Sequence, residues 1–280
     1  MNYDDHLKEY LDFLYERYCT EKFIPADPIS FPKRYENPRD IETIAFMISW
    51  ISMGRRTKIL ESGDKLCTYL GESPFEKIAE LDTTKTLEDL KDFSHFAYST
   101  IHGSTVVVLL NWTKQIIQKY GSIKEAFLFH YQNSPTTKEA QTKLVDEFYS
   151  LDLPKGITEI ERTVKSLLPN PAKGSACKRI QMFLRWLVRK DEVDFGIWSE
   201  IPTSELMIPL DAHVSTISRM LNLTSRKQDN WKTSEEITAR LREFCPEDPI
   251  KYDFAIFGAG VSKERPFDNF LEEMREKGFF

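Results

Sequence analysis

The chain has 280 residues, 41% of them apolar, and its 38 Lys and Arg against 44 Asp and Glu give a net charge of −6. That length allows one large or two modest domains with a sizeable core, and no apolar run reaches membrane-spanning length. The acidic balance argues against strong, indiscriminate nucleic-acid binding, which needs clustered Lys and Arg, but it leaves room for a local basic face.

Taken in order, Met1-Asn2-Tyr3-Asp4-Asp5-His6 leads straight into an amphipathic pattern and has the character of neither a signal nor a transit peptide. Leu7, Leu11, Leu14 and Tyr18 recur at helical spacing and predict a helix over 4–19. Pro25, Pro28, Pro32 and Pro38 predict an extended connector. Asn37 or Asp40 can cap the next helix, whose Ile41, Ile44, Ile48 and Ile51 lie in a nearly continuous apolar run, so burial on most sides is expected.

Gly54 closes that helix, and the next runs to Leu70 and stops at Gly71. Its start, Arg55-Arg56-Thr57-Lys58, is either a phosphate contact or a solvated helix end. Ser73-Pro74 opens a short helix through Leu81, and a further turn or two spans Thr86 to Phe93, after which Phe93, Phe96 and Tyr98 crowd a loop that also holds His95. Ser104 is placed to cap a long helix ending at Gly121, Ser122 to cap another, and residues 136–149 form one more. Ile157, Ile160, Val164 and Leu167 predict a helix just before the central stretch. Beyond that stretch, a helix begins at Asp211 and another is capped by Thr233-Ser234. Tyr252 to Phe257 is apolar and ends at Gly258-Ala259-Gly260, which lacks the third glycine and the preceding strand of a dinucleotide fingerprint. The charged tail from Lys263 carries no assigned role. With no alternating strand pattern anywhere, the predicted class is all-α. Cys19, Cys67, Cys177 and Cys245 have no metal-type spacing and read as reduced thiols of a cytoplasmic protein without a metal or iron–sulfur site.

The chemistry concentrates between Leu167 and Val214. On a helix over about Ala176 to Arg189, Lys178 shares a face with Met182, Arg185 and Arg189, and Ile180, Phe183, Leu184 and Leu187 lie opposite. Lys173 and Arg179 add charge, and the free amides at the helix start suit an anion. Lys178 in the first turn faces the positive end of the helix dipole, a setting that favours a neutral, nucleophilic amine. The plainer alternative is a basic face holding a neighbouring acidic segment. Asp211 is either a simple N-cap or a carboxylate facing a cleft, and the two are compatible. His213, one turn inward, reads as a hydrogen-bonded structural histidine rather than a general base. Trp186 and Trp198 read as core residues.

Gly174-Ser175-Ala176-Cys177-Lys178-Arg179, Phe183-Leu184-Arg185-Trp186, Asp194-Phe195-Gly196-Ile197-Trp198 and Pro209-Leu210-Asp211-Ala212-His213-Val214 resemble the bacterial DUF2400 family, over about Asn37 to Gly260. More distantly, Leu210-Asp211-Ala212-His213-Val214 resembles the essential-aspartate segment of the helix-hairpin-helix DNA glycosylases, the endonuclease III superfamily. The archaeal 8-oxoguanine glycosylases are closest in style. This resemblance implies an all-α, two-lobed fold with a helix-hairpin-helix and a cleft, residues 40–205 forming one bundle and 1–39 with 206–280 the other lobe. It implies a monomeric base-excision glycosylase acting on damaged duplex DNA, with or without lyase activity. Lys178 would attack C1′ and Asp211 would stabilise the transition state, with Lys173 as rival nucleophile. Lys173, Gly174, Ser175, Arg179, Arg185 and Arg189 would hold DNA, without cofactor, metal or membrane. Two departures stand out. Leu168-Pro169-Asn170-Pro171-Ala172-Lys173-Gly174 replaces the usual Leu-Pro-Gly-Val-Gly hairpin, and its added prolines donate no amide. The Lys178 to Asp211 spacing is also long. A DNA-binding protein without catalysis, or a protein-interaction module with a basic docking face, therefore remains open.

Overall fold

A computed structural model describes residues 2–90, 101–160, 162–262 and 264–279. Its helices, in chain order, are α1 (Tyr3–Tyr18), α2 (Pro38–Ile51), α3 (Arg56–Leu70), α4 (Pro74–Ala79), α5 (Thr83–Leu90), α6 (Gly103–Tyr120), α7 (Ile123–Gln132), α8 (Thr137–Ser150), α9 (Arg162–Leu167), α10 (Lys178–Val188), α11 (Ala212–Met220), α12 (Trp231–Phe244), α13 (Asp253–Val261) and α14 (Pro266–Glu276). Among the described residues the only β-type pairing is an isolated bridge between Lys190 and Phe195, so the class is all-α as expected. No helix there is long and apolar enough to cross a membrane. The expected Phe93, Phe96, Tyr98 and His95 loop lies outside the described residues.

Backbone contacts divide the chain into a continuous unit, Ile24–Lys173, and a discontinuous unit, Met1–Phe23 with Gly174–Phe280. The sequence reading sets its boundaries after residues 39 and 205 instead. In the continuous unit, the four-proline connector is not extended as expected: Pro25, Pro28 and Pro32 lie in short 3-10 turns, two of which begin on proline, Pro28–Ser30 and Pro32–Arg34, and Pro38 opens α2. Proline fits the first turn of a helix because its φ is preset and its missing N–H would be unsatisfied there anyway. Asn37 rather than Asp40 caps α2, accepting from the Arg39 amide at 2.9 Å. Asp40 instead accepts from the Phe75 amide at the start of α4, at 2.8 Å. Phe46 and Trp50 of α2 pack on Phe148 of α8 with ring centroids 5.4 and 5.3 Å away, and Trp112 of α6 closes the cluster at 6.3 Å. The predicted helix at 157–167 keeps only its second half, α9, with Ile157 and Ile160 outside it.

In the discontinuous unit, α13 is the axis. The sequence gives it an apolar run, and the helix continues through Gly258-Ala259-Gly260 rather than ending there. Those glycines serve close packing. A Cβ on Gly258 would stand 2.6 Å from the ring of Tyr18 on α1, and one on Gly260 would stand 3.0 Å from the Cβ of His213 on α11. The tail also gains a place: α14 buries Phe267, Phe270, Leu271 and Met274.

Candidate functional site

All of the site residues from Gly174 onward fall in the discontinuous unit. Lys173, the rival nucleophile, is the last residue of the other unit and is exposed. The chain enters α10 through a constrained loop. Gly174 offers its carbonyl to the Trp231 amide at 2.9 Å, which ties the loop to the start of α12. The Cys177 amide donates to Ser175 Oγ at 3.2 Å, and Cys177 itself takes a left-handed conformation with φ 49°. Lys178 and Arg179 follow on the first turn of α10, both half-buried.

The expected basic face of α10 is not a surface. Every residue from Ile180 to Val188 is buried, and Arg185 and Arg189 are only 4% and 2% exposed. Arg185 pairs through Nη1 with Asp253 of α13, lies 3.5 Å from Asp194 through Nε, and stacks over the Phe254 ring at 4.4 Å. Arg189 grips Asp248 through Nε with two 3.0 Å bonds and reaches Asp191 at 2.7 Å and Asp194 at 2.6 Å through Nη1. Asp191 also accepts the amides of Val193 and Asp194, at 2.8 and 2.7 Å, which folds the loop back onto the helix end.

The electrostatics follow from this burial. Burial raises the Asp194 carboxyl to about 6, even though Arg185 and Arg189 pull it down. Burial also raises Asp253, opposed by Arg185 and Lys178 and reinforced by Asp211. Burial would raise Asp191 too, but Arg189 and the two backbone amides overcome it and hold that carboxyl below its ordinary value. Arg185 and Arg189 are therefore corrected from DNA contacts to structural cations: their charges are already matched by carboxylates, and exposing them would strand those carboxylates in the core. The plainer sequence alternative, a basic face holding an acidic segment, describes these two side chains.

Asp211 is a working N-cap. Its Oδ1 accepts from the His213 and Val214 amides, both at 2.9 Å. His213 is exposed rather than inward, with its ring edge on Phe257 at 6.2 Å, so the expectation of a hydrogen-bonded interior histidine is corrected. Trp186 and Trp198 are fully buried, as their core reading predicts.

Lys178 and Asp211, 33 positions apart in the chain, each lie within electrostatic reach of Asp253 on α13. Asp253 is buried, and its Oδ1 has no hydrogen-bond partner. Sequence reasoning missed Asp253, Asp194 and Asp248. The Asp191-Glu192-Val193-Asp194 loop, so close to Arg189, was a usable signal. The pairings of Arg189 with Asp248 and of Arg185 with Asp253 span 59 and 68 positions and leave no local mark.

The expectations of DNA repair, glycosylase, lyase and hydrolase chemistry are also corrected. The hairpin that was to cradle a phosphate has its Ala172 amide on Asn170 Oδ1 at 2.8 Å and its Lys173 amide on the Asn170 carbonyl at 3.1 Å, so those donors are spent internally. Its flanking helices α9 and α10 fall in different units. Among the described residues, no group of three or more His, Cys, Asp or Glu side chains is placed to hold a metal ion. No curated protein and no solved structure matches the chain. The family described as "Protein of unknown function (DUF2400)" matches residues 27–262, which contain the whole stretch from Gly174 to Asp253 built up above. With most of its length inside that match, the chain belongs to the DUF2400 family.

Proposed function

We propose that the chain is a DNA-binding protein that engages a nucleotide at the Lys178 and Asp211 site and performs no chemistry on it. The observation that carries the reading is the convergence of Lys178 and Asp211 on the buried Asp253. A half-buried cation on the first turn of a helix suits a phosphate, because the helix end adds its own partial positive charge. The Asp211 carboxylate discourages free inorganic anions and can accept a hydrogen bond from the exocyclic amine of a base edge. Arg179 supplies a second half-buried cation on the same turn. DNA is the partner class implied by the distant resemblance of Leu210-Asp211-Ala212-His213-Val214 to the helix-hairpin-helix superfamily, with contacts from side chains of α10 rather than from hairpin amides.

Fluorescence anisotropy with labelled duplex and single-stranded oligonucleotides, across a salt series, tests it. Binding should weaken steeply with salt, and Lys178→Gln or Arg179→Gln should each lower the slope by about 0.9 if that side chain neutralises one phosphate of duplex DNA. Asp211→Asn should keep the cap and strengthen binding by removing a repelling charge. Absence of binding at low salt, or binding indifferent to both cation replacements, refutes the proposal.

A further inference from the structure

The acidity of this chain is not spread evenly. Helices α1 and α14 together carry nine acidic side chains against three basic ones, a net charge as large as the −6 of the whole chain. The other residues are balanced. Asp4, Asp12, Asp268 and Glu273 are matched by Arg240, Lys8 and Lys251, Arg265, and Lys277. Glu9, Glu16, Glu272 and Glu276 make no hydrogen bond or ion pair among the described residues, and all four are exposed.

An aromatic stack runs through the same surface. Phe270 of α14 lies on Tyr10 of α1, with centroids 4.6 Å apart and ring planes within 10°. Phe13 stacks on Tyr10 in turn, at 6.1 Å and 26°. Tyr10 is fixed in this position by its hydroxyl, which donates to the Pro266 carbonyl at 2.7 Å. Phe13 is 56% exposed, among the few large apolar side chains in the described residues left so open. Glu9, Phe13 and Glu16 stand at i, i+4 and i+7, one stripe of α1, so the open ring is flanked on both sides by unpaired carboxylates. Tyr10, Phe13, Phe270 and Glu273 also line a shallow pocket with His6 and Glu9.

We infer that the α1 and α14 face docks an arginine-bearing segment of a partner protein, with a guanidinium lying on Phe13 between Glu9 and Glu16. A planar, weakly hydrated guanidinium can stack on a ring and bond a carboxylate at the same time, whereas an ammonium is a compact, strongly hydrated charge. The free carboxylates extend along both helices, and α1 alone is about 24 Å long at 1.5 Å per residue. A basic polypeptide can follow that length, and a single small cation cannot. Lys277 beside Glu273 holds that carboxyl below its usual range, so it remains charged wherever the partner does.

This inference is independent of the nucleotide site. The test is anisotropy of the full chain with a labelled peptide of alternating Arg and Gly and with its Lys counterpart. The Arg peptide should bind in a salt-sensitive way and the Lys peptide about threefold to tenfold more weakly. Phe13→Ala should lower Arg-peptide affinity by about tenfold and remove the Arg preference, with an unchanged melting temperature because the ring is exposed. Glu9→Gln with Glu16→Gln should weaken both peptides. Equal binding of the two peptides, untouched by Phe13→Ala, would reduce the face to bulk charge and overturn the inference. So would self-association of the chain that Phe13→Ala abolishes, which would make a second copy the occupant.

Discussion

Replacing Arg189 by Met separates a structural cation from a DNA contact. The guanidinium is 2% exposed and satisfies carboxylates of Asp191, Asp194 and Asp248. Methionine fills a similar volume but leaves Asp194, fully enclosed, facing Asp191 without that charge. Breaking a buried pair by removing one partner costs about 3–5 kcal/mol, because the remaining charge is uncompensated. Against a total stability of about 5–15 kcal/mol, such a loss should lower the melting temperature of this 280-residue chain by about 5–9 °C. The deficit should depend on pH. The Asp194 carboxyl already sits at about 6, above its ordinary 3.8, so the folded form binds this proton more tightly than the unfolded chain. Its contribution to stability is greatest below 3.8 and declines as pH rises through about 6. Without Arg189 the carboxyl rises further, so the variant should recover part of its loss at about pH 5 relative to pH 7.5. Thermal unfolding of wild type and variant at both pH values measures this. A variant with wild-type melting at neutral pH but diminished oligonucleotide binding would refute the structural assignment.

Three further outcomes are expected. Asp211→Ala should cost about 0.5–2 kcal/mol in a denaturant titration because two amides lose their acceptor, whereas Asp211→Asn should be nearly neutral because asparagine caps as well. Gly258→Ala should destabilise by about 1–3 kcal/mol, since its methyl would collide with Tyr18 where α13 crosses α1; an unchanged midpoint would mean that crossing has slack. In the continuous unit, Glu147 accepts from Tyr120 at 2.8 Å, lies 2.5 Å from His130 and 2.5 Å from Lys119. Burial would raise its carboxyl, but Lys119, Tyr120 and His130 hold it below its ordinary value of 4.5. Its stabilisation is therefore present above 4.5 and lost as pH falls through the lowered value, so Glu147→Gln should flatten the acid limb of the unfolding curve.

The helices and most of their ends were legible in the sequence because the signals are local. Apolar spacing at Leu7, Leu11 and Leu14 defines α1, Gly71 and Gly121 stop α3 and α6, and Ser122 and Asp211 cap α7 and α11, each within a few residues of what they control. The same local reading failed where the deciding partner is distant. Arg185 and Arg189 look like a basic face on α10, and only carboxylates from beyond the helix, among them Asp253 and Asp248, make them interior. Gly258-Ala259-Gly260 looks like a stop, yet neighbouring α1 and α11 make a bare helix face useful there. Asp211 could be recognised as a cap from its position alone, but that it and Lys178 act on one buried carboxylate was settled by the packing of α13. Backbone hydrogen bonding is short-ranged along the chain and leaves its record in neighbouring residues. Charge pairing and close packing depend on distance in space, so which side chains became the core of this protein and which are free to meet a ligand was decided only by its tertiary structure.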